Sequence, residues 1–535
     1  MNRTMTDSGL YRFTILATSD VHGQIVPIDY RTGTHRMASL ATLGTMIRKE
    51  REAAPELLLI DNGDALQGTP LAHYVSRLSS EAQIHPIVAA MNELQYDAAV
   101  LGNHEFNFGR ELLDKAIGQS AFPWFSAGIA DQTTGEPAFG KPYLIKMLNG
   151  GSIKAALLGV TTHYIPNWEN PEHISGLVFH DALDSLLSWA TRIREEEQPD
   201  VIIAAYHGGL ERDLASGEPT ERLTGENQGY AMCQAAKEAG IDVLITGHQH
   251  RLIATEIAGV TVVQPGTGGQ ALGKVEIVFE LEHGKWIVKE KQSELLLPDE
   301  RTIPDARVME GMEKAEAGTQ IWLDQPLGYV TGDMSVGDPL TCRLADHPFL
   351  SFIHRVQLEA SGAQLSVAAL LSEQPSGFGA NVTMREVLAN FMFPNTLIVL
   401  RLSGRDIRAA LERTADYFRL AGDGSPIVNP AYIEPKPQHY NYDMWAGIAY
   451  ELDIRRPVGE RVVKLECGGE PVADEDSFGV VMNNYRASGG GDYEMFQGKP
   501  VVKEIMAESA ELVADYFRRY GTIAAECDNG WRVIY

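Results

Sequence analysis

The 535 residues exceed what one hydrophobic core organises, so two or more domains are expected, and a composition of 44% hydrophobic and 22% charged residues excludes long disordered arms. A formal net charge of -27, with no basic patch to offset it, excludes nucleic-acid polymers and acidic membrane surfaces as partners; a small phosphorylated substrate stays admissible if bound cations reverse the field locally. Cys233, Cys342, Cys467 and Cys527 stand far apart with no CxxC pair, which excludes a zinc knuckle or a disulfide framework.

In chain order, the polar start Met1 to Leu10 runs directly into a strand-like Arg12 to Thr18 and leaves no room for a signal-peptide core. No apolar run reaches the roughly 18 residues of a membrane span. The expected location is therefore cytoplasmic, with no membrane partner; the oligomeric state is left open.

Further strands are expected at Leu57 to Ile60, Ala98 to Leu101, Ala155 to Val160, Val201 to Tyr206, Val243 to Thr246 and Thr261 to Gln264. Helices are expected at Met37 to Glu52, His85 to Leu94, Ala182 to Glu196 and Tyr230 to Ala239. This alternation predicts a layered α/β domain over residues 1–300, with sites on the loops at the carboxyl ends of strands. From Leu281 the pattern changes: charges dominate Glu282 to Lys291, Pro298 and Pro304 punctuate, and Val308 to Thr319 reads as a connecting helix in a linker over residues 301–330. Strands at Thr396 to Leu402, Ile448 to Ile454 and Phe478 to Met482, with helices at Gly404 to Phe418 and Ser509 to Tyr520, predict a smaller α/β domain over residues 331–535.

Five segments each follow one of the first-half strands: Asp20-Val21-His22-Gly23, Gly63-Asp64, Gly102-Asn103-His104-Glu105, His207-Gly208-Gly209 and Gly247-His248-Gln249-His250. Carboxylate, imidazole and amide oxygen together suit borderline divalent ions such as Mn²⁺, Zn²⁺, Co²⁺ or Fe²⁺, whereas an all-oxygen shell favours Mg²⁺ or Ca²⁺. Asp64 lies in the middle of the set and has two oxygens with which to bridge two ions. Two ions roughly 3.5 to 4 Å apart hold an attacking water and a phosphoryl oxygen together, which is the chemistry of phosphoester hydrolysis. Singly, each segment reads as a turn or cap; five turns presenting ligands at one end of one sheet do not.

The arrangement resembles the calcineurin-like metallophosphoesterase superfamily and, within it, the two-domain nucleotidases. The resemblance implies a four-layer α/β/β/α metallophosphoesterase domain followed by a smaller α/β nucleotidase C-terminal domain. It further implies two divalent metal ions, one at Asp20, His22 and His250, the other at Asn103, His207 and His248, with Asp64 bridging and a metal-bound water attacking phosphorus. His104 is implied at the phosphoryl transition state or the leaving oxygen. The second domain is implied to supply the nucleoside pocket, with Tyr440 and Tyr485 clamping the base and Asn484, Arg486 and Asp492 beside them; the glycine run Gly489-Gly490-Gly491 suits a stacking platform on a loop.

Two departures point to a branch. The 5'-nucleotidases carry an aspartate three residues after the catalytic histidine, where this chain has Asn107, and an Asn-Gly-Gly-(Gly)-Ile-Arg segment. The corresponding stretch here, Ala363 to Glu373, has no arginine and no bidentate phosphate contact to offer. Together with Pro394-Asn395-Thr396-Leu397, Tyr440-Asn441-Tyr442-Asp443 and Asn484-Tyr485-Arg486-Ala487, these features resemble the 2',3'-cyclic-nucleotide 2'-phosphodiesterase/3'-nucleotidase branch, which is usually exported. The expected substrate is thus a nucleotide or nucleoside phosphate. The alternatives are a 5'-nucleotidase or UDP-sugar hydrolase on the same metals, and a catalytically silent nucleotide-binding protein, which the complete ligand set disfavours.

Overall fold

The structure, a computed structural model, describes residues 9–78, 84–221, 223–372, 374–393, 395–434, 437–505 and 507–535. The expectations placed on residues 1–8, Glu373 and Pro394 lie outside the described residues. The chain divides into two compact units, Met1–Thr319 and Gln320–Tyr535, and the division falls inside the helix Ala306–Leu323.

Two six-stranded sheets form the first unit. One runs in the order Lys285–Leu296, Leu272–Glu282, Leu10–Thr18, Leu58–Asp61, Ala98–Val100, Trp124–Phe125. The other runs Leu252–Ile257, Val260–Pro265, Val243–Thr246, Val201–His207, Ile153–Thr161, Tyr143–Leu148. Their central strands are parallel, buried on both faces and rich in Val, Ile, Leu and Ala. Alternation decides the layers. Ile15, Ala17, Ile60 and Val100 meet Leu157, Val201, Ile203, Ala205 and Ile245 between the sheets. The intervening residues Leu158, Ile202, Ala204 and Leu244 face the helices Ala182–Glu197 and Gly229–Ala239. On the opposite face of the first sheet, Leu16, Leu59 and Ala99 are buried, and the helices Leu40–Ala53 and Pro86–Glu93 form the outer layer. The first of these starts where Ser39 accepts the backbone N–H of Thr42 as its cap.

The charged stretch Glu282 to Lys291, where the sequence pattern changes, lies within the first unit. It is the turn and second strand of the hairpin Leu272–Glu282/Lys285–Leu296 at the edge of the first sheet. An edge strand with much of both faces in solvent carries charge without leaving the domain.

The second unit has a five-stranded sheet in the order Met444–Ala446, Leu365–Ala368, Ser477–Asn483, Leu397–Ser403, Val501–Ile505. A four-stranded sheet contains Ala449–Asp453 and Trp531–Ile534. The helix expected to reach Phe418 ends at Ala415, and Phe418–Leu420 pairs with Pro426–Val428 as a short hairpin. A helix the sequence reading missed, Pro348–Ser361, packs beside the central strand. On it His354 is buried; Ser366 Oγ donates to Gln357 Oε1 and so accepts from His354 Nδ1 at 2.9 Å, while Nε2 meets no partner among the described residues.

Burial pushes the His354 imidazole from 6.5 down to about 3. The folded state therefore refuses a proton that the unfolded chain accepts below pH 6.5, so this stability is complete above that pH and lost as pH falls. The loss is about 1.4 kcal/mol at about pH 5.5. Urea unfolding at about pH 7.5 and 5.5 checks it: His354→Leu is expected to lack this share of the acid loss, and equal losses in both proteins would contradict it.

Candidate active site

Backbone pairing carries the first strands' register into the loops that follow them. Asp20 N donates to Gly63 O at 2.8 Å, His22 N to Asp64 O at 2.8 Å and Gly23 N to Ala65 O at 2.9 Å. Five of the predicted ligands, Asp20, His22, Asp64, His248 and His250, have φ between 51° and 65°. Left-handed backbone is costly for side-chain-bearing residues and persists where the surroundings enforce it, often at functional sites. The glycines allow the close approach: a Cβ on Gly102 would lie 2.2 Å from Asp64 Oδ1. Gly102→Ala is expected to displace Asp64 and lower phosphoesterase turnover about a hundredfold with the fold retained; circular dichroism alongside kinetics checks it, and unchanged turnover would contradict it.

Two groups of side chains converge, Asp20 with His22 and His250, and Asp64 with His207 and His248, each with its ligand atoms within 4.8 Å of one another. Asp64 sits between them. Its Oδ2 lies 3.2 Å from His207 Nε2 and 4.0 Å from His22 Nε2, and its Oδ1 accepts the His104 N–H at 2.8 Å. Asn103 Oδ1 lies 2.9 Å from His248 Nδ1 and 3.1 Å from His207 Nε2. All seven predicted ligands thus meet at one place.

The hydrogen bonds behind the rings decide which nitrogens face inward. A carbonyl only accepts, so His22 Nδ1 donates to Gln67 O at 2.9 Å and His207 Nδ1 to Asn62 O at 2.7 Å. Glu226 Oε1 takes the Nε2 proton of His248 at 3.0 Å. Burial lowers His22 to about 4 and also lowers His248, keeping both rings neutral. Held in this way, the neutral His22 ring turns its Nε2 lone pair inward, 3.0 Å from His250 Nε2. Lone pairs and carboxylates packed this way fit a divalent cation, and outer partners of this kind orient ligating imidazoles.

The charges agree with that fit. Burial works to lower His207, but Asp64, Asp20 and Glu105 outweigh it and push the ring up to about 10. Burial works to raise Asp64, but His207, His104 and His22 hold it well below the usual carboxylate range. Burial raises Asp20. Without a metal, a proton on His207 offsets the clustered negative charge.

Several residues of this site were not singled out in the sequence. Glu105, fully buried, accepts four backbone N–H groups, from Gly102, Asp64, Ala65 and Leu66, at 2.6 to 3.1 Å, and so locks two ligand-bearing loops together. Trp168 stacks on His248 with centroids 5.4 Å apart. His104 Nδ1 bonds Asn107 Oδ1 at 2.5 Å, and Asn107 Nδ2 in turn donates to Glu169.

In the second unit Tyr440 and Tyr485 come together, half-buried, with centroids 6.3 Å apart at 70°. Such an edge-to-face pair leaves no parallel slot between the two rings. Phe393, overlooked in the sequence, stands 6.5 Å from Tyr440 at 67° on the same pattern. Tyr442 is fully buried, with its hydroxyl on Arg343 O. Arg486 occupies a different place from the one expected. It is 2% exposed, ion-paired with Asp443 at 2.8 Å and bonded to Gly490 O and Tyr440 O, so it pins the Tyr440 segment to the glycine run. Asp492 pairs with Arg413, and Asn484 Oδ1 accepts the Thr396 N–H. The arginine-free strand Leu365–Ala368 is buried. Arg343 lies buried against the Tyr417 ring, with Nε and Nη2 lacking an acceptor among the described residues. Among the same residues no helix is long and apolar enough to cross a membrane.

Comparison with known proteins accords with this geometry. Residues 13–252 match the family model of the calcineurin-like phosphoesterases, and residues 327–498 match that of the 5'-nucleotidase C-terminal domain. The chain is 27% identical over 97% of its length to the Bacillus subtilis trifunctional nucleotide phosphoesterase protein YfkN, of which it spans only 38%. It is 26% identical to the 2',3'-cyclic-nucleotide 2'-phosphodiesterase/3'-nucleotidase of Yersinia enterocolitica, covering 97% of this chain and 87% of that protein. A solved Staphylococcus aureus structure, described provisionally as a 5'-nucleotidase and bound to alpha-ketoglutarate, superposes with a TM-score of 0.88 at 35% identity, covering 98% of this chain and all of that one. The chain therefore belongs to the two-domain family that joins a calcineurin-like phosphoesterase domain to a 5'-nucleotidase C-terminal domain, and is a nucleotide phosphoesterase.

Proposed function

We propose that this chain hydrolyses 2',3'-cyclic nucleotides and 3'-nucleotides with two divalent cations held on the loops of its first unit. The observation that carries the reading is the pair of donor groups with Asp64 between them. Asp20, His22 and His250 would hold one ion, Asn103, His207 and His248 the other, and Asp64 would serve both; Mn²⁺, Zn²⁺, Co²⁺ or Fe²⁺ suits such donors. When bound, such ions supply Lewis acidity toward a phosphoryl oxygen and a lowered pKa for the attacking water. The chain's own groups position the rest. Asn107 Oδ1 accepts from His104 Nδ1, which leaves Nε2 as the nitrogen that gains a proton and, in the protonated ring, donates it to the phosphoryl group or the leaving oxygen. Tyr485, Tyr440 and Phe393 present aromatic surface to the base.

The branch assignment is supported by the near-full-length similarity to the Yersinia protein, by Asn107 and by the absence of arginine from Ala363 to Glu373. A second reading, 5'-nucleotidase, is favoured by the Staphylococcus structure. One panel separates them: Mn²⁺-loaded protein is offered 2',3'-cyclic AMP, 3'-AMP, 5'-AMP and a UDP-sugar. The first two are expected to be cleaved with the highest kcat/KM; preference for 5'-AMP would replace the first reading by the second.

Tyr485→Ala is expected to raise KM for 2',3'-cyclic AMP about 10- to 100-fold, as a lost base-stacking platform should. Turnover of bis(p-nitrophenyl) phosphate, which has no base, should stay at the wild-type rate. An unchanged KM for the nucleotide would remove Tyr485 from the pocket.

A further inference from the structure

The loop that follows the short helix Ile165–Asn167 reaches two parts of the site. Trp168 stacks on His248, and the next residue, Glu169, has a side chain only 6% exposed. Each Glu169 oxygen has a fixed partner. Oε1 accepts from His173 Nδ1 and from the backbone N–H of Asn170, both at 2.8 Å; Oε2 accepts from Asn107 Nδ2 at 2.6 Å. The other end of the Asn107 amide, Oδ1, lies 2.5 Å from His104 Nδ1.

This chain of bonds has one consistent direction. A carboxylate can only accept, so the amide must turn its NH₂ to Glu169 and its oxygen to His104. An amide oxygen can only accept, so the proton of the His104 ring must sit on Nδ1. An isolated asparagine would fix neither its own orientation nor the tautomer, because both of its ends can satisfy an imidazole nitrogen.

We propose that Glu169 is a positioning residue for His104: acting through Asn107, it fixes the ring's tautomer and supplies, one hydrogen bond further out, the negative charge that asparagine lacks. The proposal rests on the reading that His104 acts at the reacting phosphate. It also accounts for Asn107 itself. An aspartate there would place two carboxylates at 2.6 Å from one another, so the pair must be Asn with Glu or Asp with an uncharged partner.

The test uses the full metal-loaded chain and bis(p-nitrophenyl) phosphate, so that it does not depend on nucleotide preference. In Glu169→Gln, Oε1 stays claimed by Asn170 and His173, and the new NH₂ faces that of Asn107. The expected result is a kcat about tenfold lower at unchanged KM and metal content. Asn107→Asp alone is expected to lose at least as much. The double variant, Asn107→Asp with Glu169→Gln, is expected to return within about threefold of wild type, because the introduced glutamine can then donate to the introduced aspartate while His104 keeps its acceptor. Nitrogen-15 NMR should find the His104 proton on Nδ1 in the wild type and in the double variant, and on Nε2 for a share of the molecules in Glu169→Gln. Wild-type kcat and tautomer in Glu169→Gln, or a double variant no better than Asn107→Asp, would overturn the proposal while leaving the role of His104 standing. If His104→Ala kept full turnover, both would fall.

Discussion

Asp64→Asn is expected to lower kcat about a thousandfold or more on any phosphodiester substrate and to lower the affinity for Mn²⁺. The substitution removes charge with little change of shape. An asparagine oxygen can still accept the His104 N–H that Asp64 Oδ1 accepts at 2.8 Å, and the loop keeps its tie from His22 N to the residue's carbonyl. What is lost is the second oxygen, the atom lying 3.2 Å from His207 Nε2 and 4.0 Å from His22 Nε2, and with it the negative charge shared by both donor groups. Kinetics with metal analysis of the dialysed variant check the expectation. Wild-type turnover in Asp64→Asn would show that the two groups act without a shared carboxylate.

The second large effect belongs to a residue with no direct part in the chemistry. Glu105→Ala leaves the N–H groups of Gly102, Asp64, Ala65 and Leu66 facing a hole where a carboxylate had accepted all four. Stranding buried donors of this kind costs about 3 to 5 kcal/mol, and the two loops that carry Asp64 and Asn103 lose their common anchor. Urea unfolding should show the loss of stability, and activity should fall below detection. Glu105→Gln is expected to be nearly as inactive, because one of its two ends donates and cannot receive the N–H groups that Glu105 holds there. A stable, active Glu105→Gln protein would contradict the anchoring role.

The sequence made the site's donors legible because each was tied to a local pattern. A short run of Val, Ile, Leu and Ala ends, and an Asp, Asn or His near a glycine follows; the observed strands Leu10–Thr18, Leu58–Asp61, Ala98–Val100, Val201–His207 and Val243–Thr246 end within one residue of where those patterns put them. What joins the donors was not legible. Glu105 stood in a quoted motif, yet three of its four partners are backbone groups some 40 positions earlier in the chain, and no side-chain pattern records an N–H. Glu169 and Trp168 lie in a loop without periodicity, 62 and 80 positions from the residues they touch. Arg486 was expected at the substrate because the resemblance places its segment in the nucleoside pocket. Its burial beside Asp443 depends on how two distant loops pack, which composition does not reveal. The charge-rich stretch after Leu281 has a local cause: the outer strand Lys285–Leu296 lies at the sheet edge and pairs with the largely buried Leu272–Glu282, which in turn pairs with Leu10–Thr18.

The reading stands on two cations held by one set of loops, and their stoichiometry can be measured. Chelator-stripped full-length protein is dialysed against Mn²⁺, its metal content is determined, and hydrolysis of 2',3'-cyclic AMP is followed through the titration. Two ions per chain should bind, activity should rise with occupancy and vanish again on chelation, and His22→Ala and His207→Ala should each lower the metal content. Full turnover by the stripped protein, or no ion retained at the concentration that supports turnover, would contradict it.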